Sequence, residues 1–239
     1  MTTNHTWKKL SSLVSILILG VSMSACSKTT AWKEEVLLHD GTTMIVTRSQ
    51  TRSGTGEIGQ GQPITGVSIT FTPVKSDRPI TWKLSESTIQ TGRVDLNLLA
   101  LDIVQGTPYI ATSPVGCIVY SRLGKPNPPY LFFKYASQQW QQIPLQEFPA
   151  EITKPNVRIS IYEIEEIKRI EEQSGFVTAA STQQDNRGLQ QAEYKAIHRQ
   201  PIVPTGKSAS RVDCRGTSGP KAPLPIPPQE DAVQKKSPQ

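Results

Sequence analysis

The sequence predicts a mainly β protein. An antiparallel meander forms either a sandwich or one strongly bent sheet, and two C-terminal helices and a disordered proline-rich tail follow it. Three observations lead to this class. Apolar and polar residues alternate over several short runs, as in strands with one buried face. Asp-Gly and proline-containing turns separate those runs. Beyond residue 152 the apolar residues recur every third position, which is typical of an amphipathic helix.

The first two strands are predicted to form a hairpin. Two runs of β-favouring residues flank Asp40-Gly41, and this dipeptide favours a type I′ turn because both central residues of that turn need a positive φ. A two-residue loop places Leu37 opposite Met44 and gives each face an apolar pair near the turn. We therefore expect the hairpin to be covered on both sides there.

The remaining strands follow as a meander whose connections contain glycine or proline. A run such as Val67-Ser68-Ile69-Thr70-Phe71 alternates strictly between apolar and polar residues, which indicates a strand with one wet face. Strands are predicted at residues 67–71, 80–84, 94–104, 109–112, 116–121, 130–135 and 140–143.

Two helices are predicted after the strands. Four isoleucines recur at every third position from 161 to 170, so residues 162–173 are expected to form an amphipathic helix that ends at Gly175. A weaker helix is expected over residues 183–198, with Gly188 interrupting it.

The chain is accordingly divided into a β domain at residues 32–150, a helical segment packed on it at residues 151–198, and a tail at residues 199–239. Eight of the 41 tail residues are proline, a composition that favours an extended, hydrated conformation and cannot bury a core. The tail is therefore expected to be disordered.

The net charge of +6 is concentrated in that tail. Between residues 26 and 198 the chain has 17 basic and 17 acidic residues, whereas residues 199–239 contain seven basic and three acidic ones. A neutral body with a basic tail argues against a folded nucleic-acid-binding face. We expect no nucleic acid partner.

The N-terminus has the order of an export signal. Lys8 and Lys9 precede an apolar run at residues 13–21, and Ser24-Ala25-Cys26 follows it. The apolar run is too short for a permanent transmembrane helix, which needs about 20 residues. An ordinary secretory signal with an incidental cysteine is the alternative interpretation.

These residues resemble the lipobox of bacterial lipoproteins, with methionine at position 23 where leucine is usual. The resemblance implies that residues 1–25 are a signal peptide cut by signal peptidase II, that Cys26 is acylated, and that residues 26–31 link the anchor to the β domain. Ser27, in place of aspartate, implies the outer membrane, facing the periplasm, and not the inner membrane.

The mature region also resembles uncharacterised lipoprotein-like proteins of Gram-negative bacteria. The segments that carry this resemblance are WKEEV, LHDG, GTPYIAT and GKPNPPYLFFKY. That group has no assigned activity, so the resemblance supports a cell-envelope location and supplies no site.

Two cysteines remain if Cys26 carries lipid. Cys117 and Cys214 are a candidate disulfide, because disulfides persist in an exported protein. Two unpaired thiols are the alternative.

The sequence offers no motif for catalysis, a cofactor or a metal. His5, His39 and His198 lack the spacing of a zinc site. The glycines from 54 to 59 have the dinucleotide-binding spacing, but no convincing helix follows them. The glutamates of the first helix are expected to form a solvated face. We therefore predict no catalytic residue, no cofactor and no metal.

Two classes of function remain. The first is a lipid-anchored, non-catalytic binding or structural module of the cell envelope, whose partners are the membrane through its anchor and either peptidoglycan or another envelope protein. The second is a periplasm-facing hydrolase with dispersed catalytic residues. The basic tail either contacts an anionic partner or merely keeps the protein soluble.

Overall fold

The computed structural model describes residues 27–54, 61–74, 76–85, 96–207, 210–214 and 229–230. Two antiparallel sheets form, each with its strands in chain order. The first contains β1 (Lys28–Leu37), β2 (Thr43–Arg52), β3 (Ile64–Phe71) and β4 (Ile80–Ser85). The second contains β5 (Leu96–Val104), β6 (Thr107–Pro114), β7 (Leu131–Ala136), β8 (Gln139–Ile143) and β9 (Gln229–Glu230). The predicted mainly β antiparallel meander is confirmed.

The two sheets pack face to face around one core. Trp82 of β4 meets Phe133 of β7 with ring centroids 5.7 Å apart, and the indole of Trp140 donates to the Thr81 carbonyl oxygen at 2.9 Å. Buried residues of both sheets belong to the same apolar cluster. Of the two predicted arrangements, the sandwich is therefore the one that forms.

The second sheet is buried on both faces. Its outer face carries a separate apolar cluster, in which strand residues such as Leu99 and Phe132 pack against Phe148, Ile152 and Tyr194. The chain after β8 therefore forms a third layer over this sheet, and β5 and β7 read as nearly continuous apolar runs for that reason.

Three α-helices lie in the described ranges: α1 (Cys117–Arg122), α2 (Ile164–Ser174) and α3 (Ala179–Gly188). The two predicted C-terminal helices are α2 and α3. Gly175 ends α2 at φ 77°, a left-handed conformation that glycine adopts without strain. Thr178 caps α3, since its side chain accepts from the Ser181 N–H, so this helix begins and ends earlier than predicted.

One predicted strand is a helix. Residues 116–121 form most of α1, where Tyr120 N donates to Gly116 O at 2.9 Å and Leu123 N donates to Val119 O at 2.9 Å. Ile118 is 63% exposed, whereas its two successors are buried. A short apolar run is compatible with both a strand and a helical turn, so the pattern of residues 116–121 did not distinguish the two and the predicted strand is wrong.

The register of the first hairpin also differs from the predicted one. Val36, not Leu37, lies opposite Met44. Leu38 N donates to Thr42 O at 2.8 Å, so the loop contains three residues and ends at a glycine with φ 85°. Such a loop is a type I turn followed by a left-handed residue, and it accounts for the shift of one position.

Because of this shift, one face of the hairpin is exposed to solvent near the turn. Val36 and Met44 are buried, whereas Ile45 is 45% exposed and lies opposite Glu35. The prediction that both faces are covered near the turn is wrong.

The folded body extends beyond the predicted start of the tail at residue 199. Arg199 donates to the Phe148 carbonyl oxygen at 2.8 Å, and Ser210 Oγ donates to buried Glu193 at 2.6 Å. Residues 199–207 and 210–214 therefore pack on the body, because they supply donors that its acceptors need. The predicted signal peptide, Cys26, residues 55–60 with the glycine pattern and the proline-rich residues 215–228 lie outside the described residues.

Candidate functional site

A cleft of about 450 Å³ opens where four parts of the fold meet. They are the tip of the β1–β2 hairpin, the edge strand β5, the segment at residues 151–156 and helix α3 with the turn that follows it. Its ionisable lining residues are His39, Asp102, Glu151, Lys154, Arg187 and Lys195.

His39 and Asp102 form the floor of the cleft. His39 Nδ1 lies 2.7 Å from Asp102 Oδ1, and the backbone N–H of His39 donates to Asp102 Oδ2 at 2.9 Å. Asp102 also accepts from the Ile103 N–H at 2.8 Å, and its side chain is only 3% exposed. The imidazole is therefore fixed through Nδ1, and no hydrogen bond to Nε2 occurs among the described residues.

The surroundings of His39 favour its protonated form. Its hydrogen bond to Asp102 raises the pKa of the imidazole above the ordinary 6.5, against a smaller opposing effect of burial. The negative charges of Asp102, Asp40 and Glu151 act in the same direction as the hydrogen bond. The side chain is 22% exposed, so this stabilised positive charge can form at the surface of the cleft.

Asn156 holds the two sheets together beneath the cleft. Its side-chain nitrogen donates to Leu37 O at 2.9 Å and to Leu101 O at 2.8 Å, and its oxygen accepts from Leu101 N at 3.0 Å. One amide thus bonds to the end of β1 and to β5, which are edge strands of different sheets. The hairpin tip that carries His39 is thereby held over β5.

Asn186 of α3 also uses its side-chain amide to hold backbone in place, on the side of the cleft that α3 forms. Its oxygen accepts from Ile159 N at 3.1 Å and its nitrogen donates to Val157 O at 2.9 Å. Both asparagines use their amides to position backbone, so neither offers a free group to a ligand.

The rim of the cleft is cationic. Lys154, Arg187 and Lys195 are exposed, and Glu151 is the only exposed carboxylate among the described lining residues. Lys195 Nζ donates to the Arg187 carbonyl oxygen at 2.7 Å, which keeps its charge beside α3. Three exposed cations against one exposed carboxylate give the rim excess positive charge, and this arrangement suits a carboxylate or phosphate group.

The side chains in the lining that could act as nucleophiles are those of Thr153, Lys154 and Lys195. Among the described residues of the cleft there is neither serine nor cysteine. A histidine fixed by a buried carboxylate can act on a water molecule as a general base, but protonation of the imidazole removes that ability.

Apart from His39, the described residues that were named from the sequence lie elsewhere. The structure joins Cys117 and Cys214 in a disulfide, with Cα atoms 5.5 Å apart. His198 is 3.0 Å from the Ala192 carbonyl oxygen through Nε2, and Glu171 of α2 accepts from the Lys33 N–H at 2.8 Å. Within the part of the chain that the structure describes, no cluster of three metal-ligating side chains occurs.

Sequence reasoning placed His39 beside the turn and did not find its partner. One signal was present: Asp102 is a lone carboxylate within the apolar run Leu98-Leu99-Ala100-Leu101-Asp102-Ile103-Val104. A carboxylate in such a strand needs a partner when the strand is buried. The identity of that partner, His39, depended on how the first hairpin folds over the second sheet.

No protein-family model matches the chain, and no curated protein or solved structure is significantly similar to it. In the described ranges, no helix is long and apolar enough to cross a bilayer. The class that the fold and the cleft define is a β sandwich with a third layer and a cationic cleft at one edge.

Proposed function

We propose that this protein is a lipid-anchored module of the bacterial cell envelope that binds an anionic group in the cleft at His39 and catalyses no reaction. The observation that carries the proposal is the pair of His39 and Asp102 at the floor of a cleft whose rim bears three exposed cations. The buried carboxylate of Asp102 favours the protonated imidazole, whose Nε2 has no hydrogen-bond partner among the described residues and donates to the ligand.

The ligand's charged group is a carboxylate or phosphate. Charge-assisted hydrogen bonds from imidazolium and ammonium groups are shorter and stronger than neutral ones, which makes such a site selective for anions. Peptidoglycan and anionic envelope proteins both carry groups of this type. The contacts with Lys154 and Lys195 are exposed, so salt weakens them.

The resemblance of residues 23–26 to a lipobox supports an envelope location. The residues around Cys26 support a lipid anchor at the outer membrane, with the folded body facing the periplasm. More than one acyl chain is needed for stable anchoring, and the lipoprotein modification provides it.

The test is sedimentation with purified sacculi of the soluble form that begins at Ser27. We expect the wild type to bind at about 0.05 M salt and to be released at about 0.5 M. The variant Lys154→Glu/Lys195→Glu should lose binding about tenfold or more. Arg78→Glu is the control, because Arg78 is exposed on the β3–β4 connection and is not among the residues that line the cleft.

A truncated variant that ends at Cys214 lacks the rest of the basic tail, so it distinguishes binding by the cleft from binding by the tail. If that shortened chain binds normally and the cleft variant does not, the cleft is the site. If the cleft variant binds as well as the wild type, the proposed site is wrong.

The second candidate is a hydrolase in which neutral His39 activates water, and the free Nε2 of the histidine–aspartate pair favours it. Such an enzyme would show turnover in a hydrolase screen, with a rate that rises as His39 loses its proton and that His39→Gln abolishes. Anion binding has the opposite pH dependence.

A further inference from the structure

The first residue of the sandwich lies very close to the proposed lipid anchor. Strand β1 begins at Lys28, and only Ser27 separates that residue from Cys26. Consecutive Cα atoms are about 3.8 Å apart, so the Cα atoms of Cys26 and Lys28 are at most about 7.6 Å apart. Acyl chains on Cys26 therefore hold the start of β1 against the headgroup layer of the membrane.

The start of β1, the start of β5 and helix α1 lie at the same end of the sandwich. Asn156 bonds to Leu37, the last residue of β1, and to Leu101 in the second half of β5. In an aligned sandwich these two strands therefore finish at one end and begin at the other. Strand β6 returns antiparallel and ends at Pro114, opposite the first residue of β5. Helix α1, which follows β6, thus lies at the end that begins with Lys28.

Tyr162 is an exposed aromatic residue at this end. Arg52 lies opposite Lys28 in the β1–β2 pair, and its Nη2 donates to the Tyr162 carbonyl oxygen at 3.0 Å. The tyrosine is 58% exposed. Tyrosine is favoured at a membrane interface, because its ring is apolar and its hydroxyl group remains hydrated. The charges of Lys28 and Arg52 offset that of Glu163, which is exposed beside Tyr162.

Ile118 is a second exposed apolar residue at this end. It is 63% exposed on α1, whereas Val119 and Tyr120 of the same helix are buried. The surface formed by Lys28, Arg52, Ile118 and Tyr162, which we call the anchor end, therefore combines apolar side chains with cations. That combination suits the boundary between lipid headgroups and acyl chains.

The two faces that flank β1 are less suited to contact a bilayer. Helix α2, which lies beside β1, exposes Glu165 and Glu172, and anionic headgroups repel such carboxylates. The outer face of the first sheet carries hydroxyl groups that bond to one another in the pairs Thr29–Thr51, Ser49–Ser68 and Thr70–Thr81. Neither face offers the apolar side chains that the anchor end has.

We propose that the anchor end is a membrane-contact surface on which the sandwich rests, with Tyr162 and Ile118 in the headgroup layer and the cleft at His39 facing away from the bilayer. Strand β1 has ten residues, and its length of about 33 Å at ~3.3 Å per residue separates the cleft from the lipid. This inference rests on the lipid anchor of the proposed function and does not depend on the ligand of the cleft.

The test is quenching of a fluorescent label by lipids that carry a spin label on the headgroup, with the lipidated full chain in vesicles of phosphatidylethanolamine and phosphatidylglycerol. The disulfide and the acylated Cys26 leave no free thiol, so one introduced cysteine carries the label. Gln62→Cys places it at the anchor end, and Val74→Cys places it at the opposite end; both residues are exposed.

The two labels should differ strongly in quenching. Strand β3 lies between residues 62 and 74 and has eight residues, so the labels are separated by about 26 Å and quenching at residue 62 should be about fivefold or more stronger. Equal quenching of the two labels in the lipidated chain would overturn the proposed contact surface.

A pair of substitutions tests the two apolar side chains. In the Gln62→Cys chain, Tyr162→Ser/Ile118→Ser should lower the ratio of docked to undocked protein, read from the quenching, about tenfold, because it removes apolar surface from the interface. The matched control is Ile45→Ser/Val74→Ser, which replaces two exposed apolar residues near the opposite end and should leave the quenching unchanged.

The outcomes separate the contact surface from the anchor. Quenching that Tyr162→Ser/Ile118→Ser leaves unchanged would overturn the contact surface while the lipid anchor stands. A full chain that carries no lipid, as measured by mass spectrometry, would overturn both the anchor and the contact surface.

Discussion

Glu34 and Arg48 form an ion pair inside the sandwich, with an N···O distance of 3.1 Å and with side chains that are 0% and 3% exposed. The Glu34 carboxylate also accepts from the Trp32 indole at 3.2 Å and from the Arg158 N–H at 2.6 Å. Arg48 donates in turn to the Arg158 carbonyl oxygen at 3.0 Å. The pair therefore binds the third layer's backbone to the first sheet.

Loss of Glu34 should be strongly destabilising. Glu34→Ala leaves Arg48 charged, buried and without its partner carboxylate, and a broken buried pair costs about 3–5 kcal/mol. Urea unfolding of the soluble form measures this free energy. Glu172→Ala, which removes an exposed carboxylate from α2, should change it by less than about 0.5 kcal/mol.

Replacement of both Glu34 and Arg48 tests whether the unpaired buried charge causes the loss of stability. Glu34→Leu/Arg48→Met removes the unpaired charge, so it should be less destabilising than Glu34→Ala alone. A double variant that is as unstable as the single one would show that the lost hydrogen bonds to Trp32 and Arg158, and not the buried charge, dominate.

The stability that His39 contributes should depend on pH. Its pKa is raised above 6.5 in the folded state, chiefly by the hydrogen bond to Asp102. The contribution is therefore complete below the unfolded pKa and is lost as the pH rises through the folded pKa. Urea unfolding of the wild type and of His39→Gln should differ most at about pH 5.5 and least at about pH 9.

When the free energy of unfolding of His39→Gln is subtracted from that of the wild type, the pH dependence due to all other groups cancels. A constant difference across the pH range would contradict the assignment of this effect to His39. Asp102→Asn should remove most of the same pH dependence, and the loss of its charge-assisted hydrogen bonds should cost about 1–3 kcal/mol.

The disulfide should stabilise the protein by constraining the unfolded chain. Cys117 and Cys214 are 97 residues apart, and removal of such a native disulfide typically costs about 2–5 kcal/mol. Cys117→Ser/Cys214→Ser should therefore lower the melting temperature. In the soluble form that begins at Ser27, a maleimide should react with neither thiol before reduction and with both afterwards, in denaturant; two reactive thiols in the unreduced protein would refute the bridge.

Cys26→Ala should abolish acylation and leave the precursor uncleaved. The reason is chemical, because the modification is attached to the cysteine sulfur and cleavage follows it. Metabolic labelling with a fatty-acid probe measures the first effect and gel mobility the second. Absence of label from the wild-type protein would disprove the lipid anchor.

The strands could be predicted well because their alternation is local. Val67-Ser68-Ile69-Thr70-Phe71 has the same pattern in the unfolded chain as in β3, and Gly175 ends α2 wherever that helix packs. The three-residue hairpin loop was missed because Asp40-Gly41 is compatible with two turn geometries. The choice between them fixes which side chains face the core.

The sequence by itself determined most of the strand pattern and the presence of two C-terminal helices. Only the tertiary structure decided that two sheets pack as a sandwich, that Glu34 and Arg48 meet inside it, and that His39 lies on Asp102. His39 and Asp102 are 63 positions apart and belong to different sheets, so residue spacing does not predict their contact. Glu34 and Arg48 are 14 positions apart on the paired strands β1 and β2, and their contact depends on the register that the hairpin loop sets. They form because buried charges and amides must find partners once water is excluded, and the partner is whichever group the packing of the sheets brings within reach.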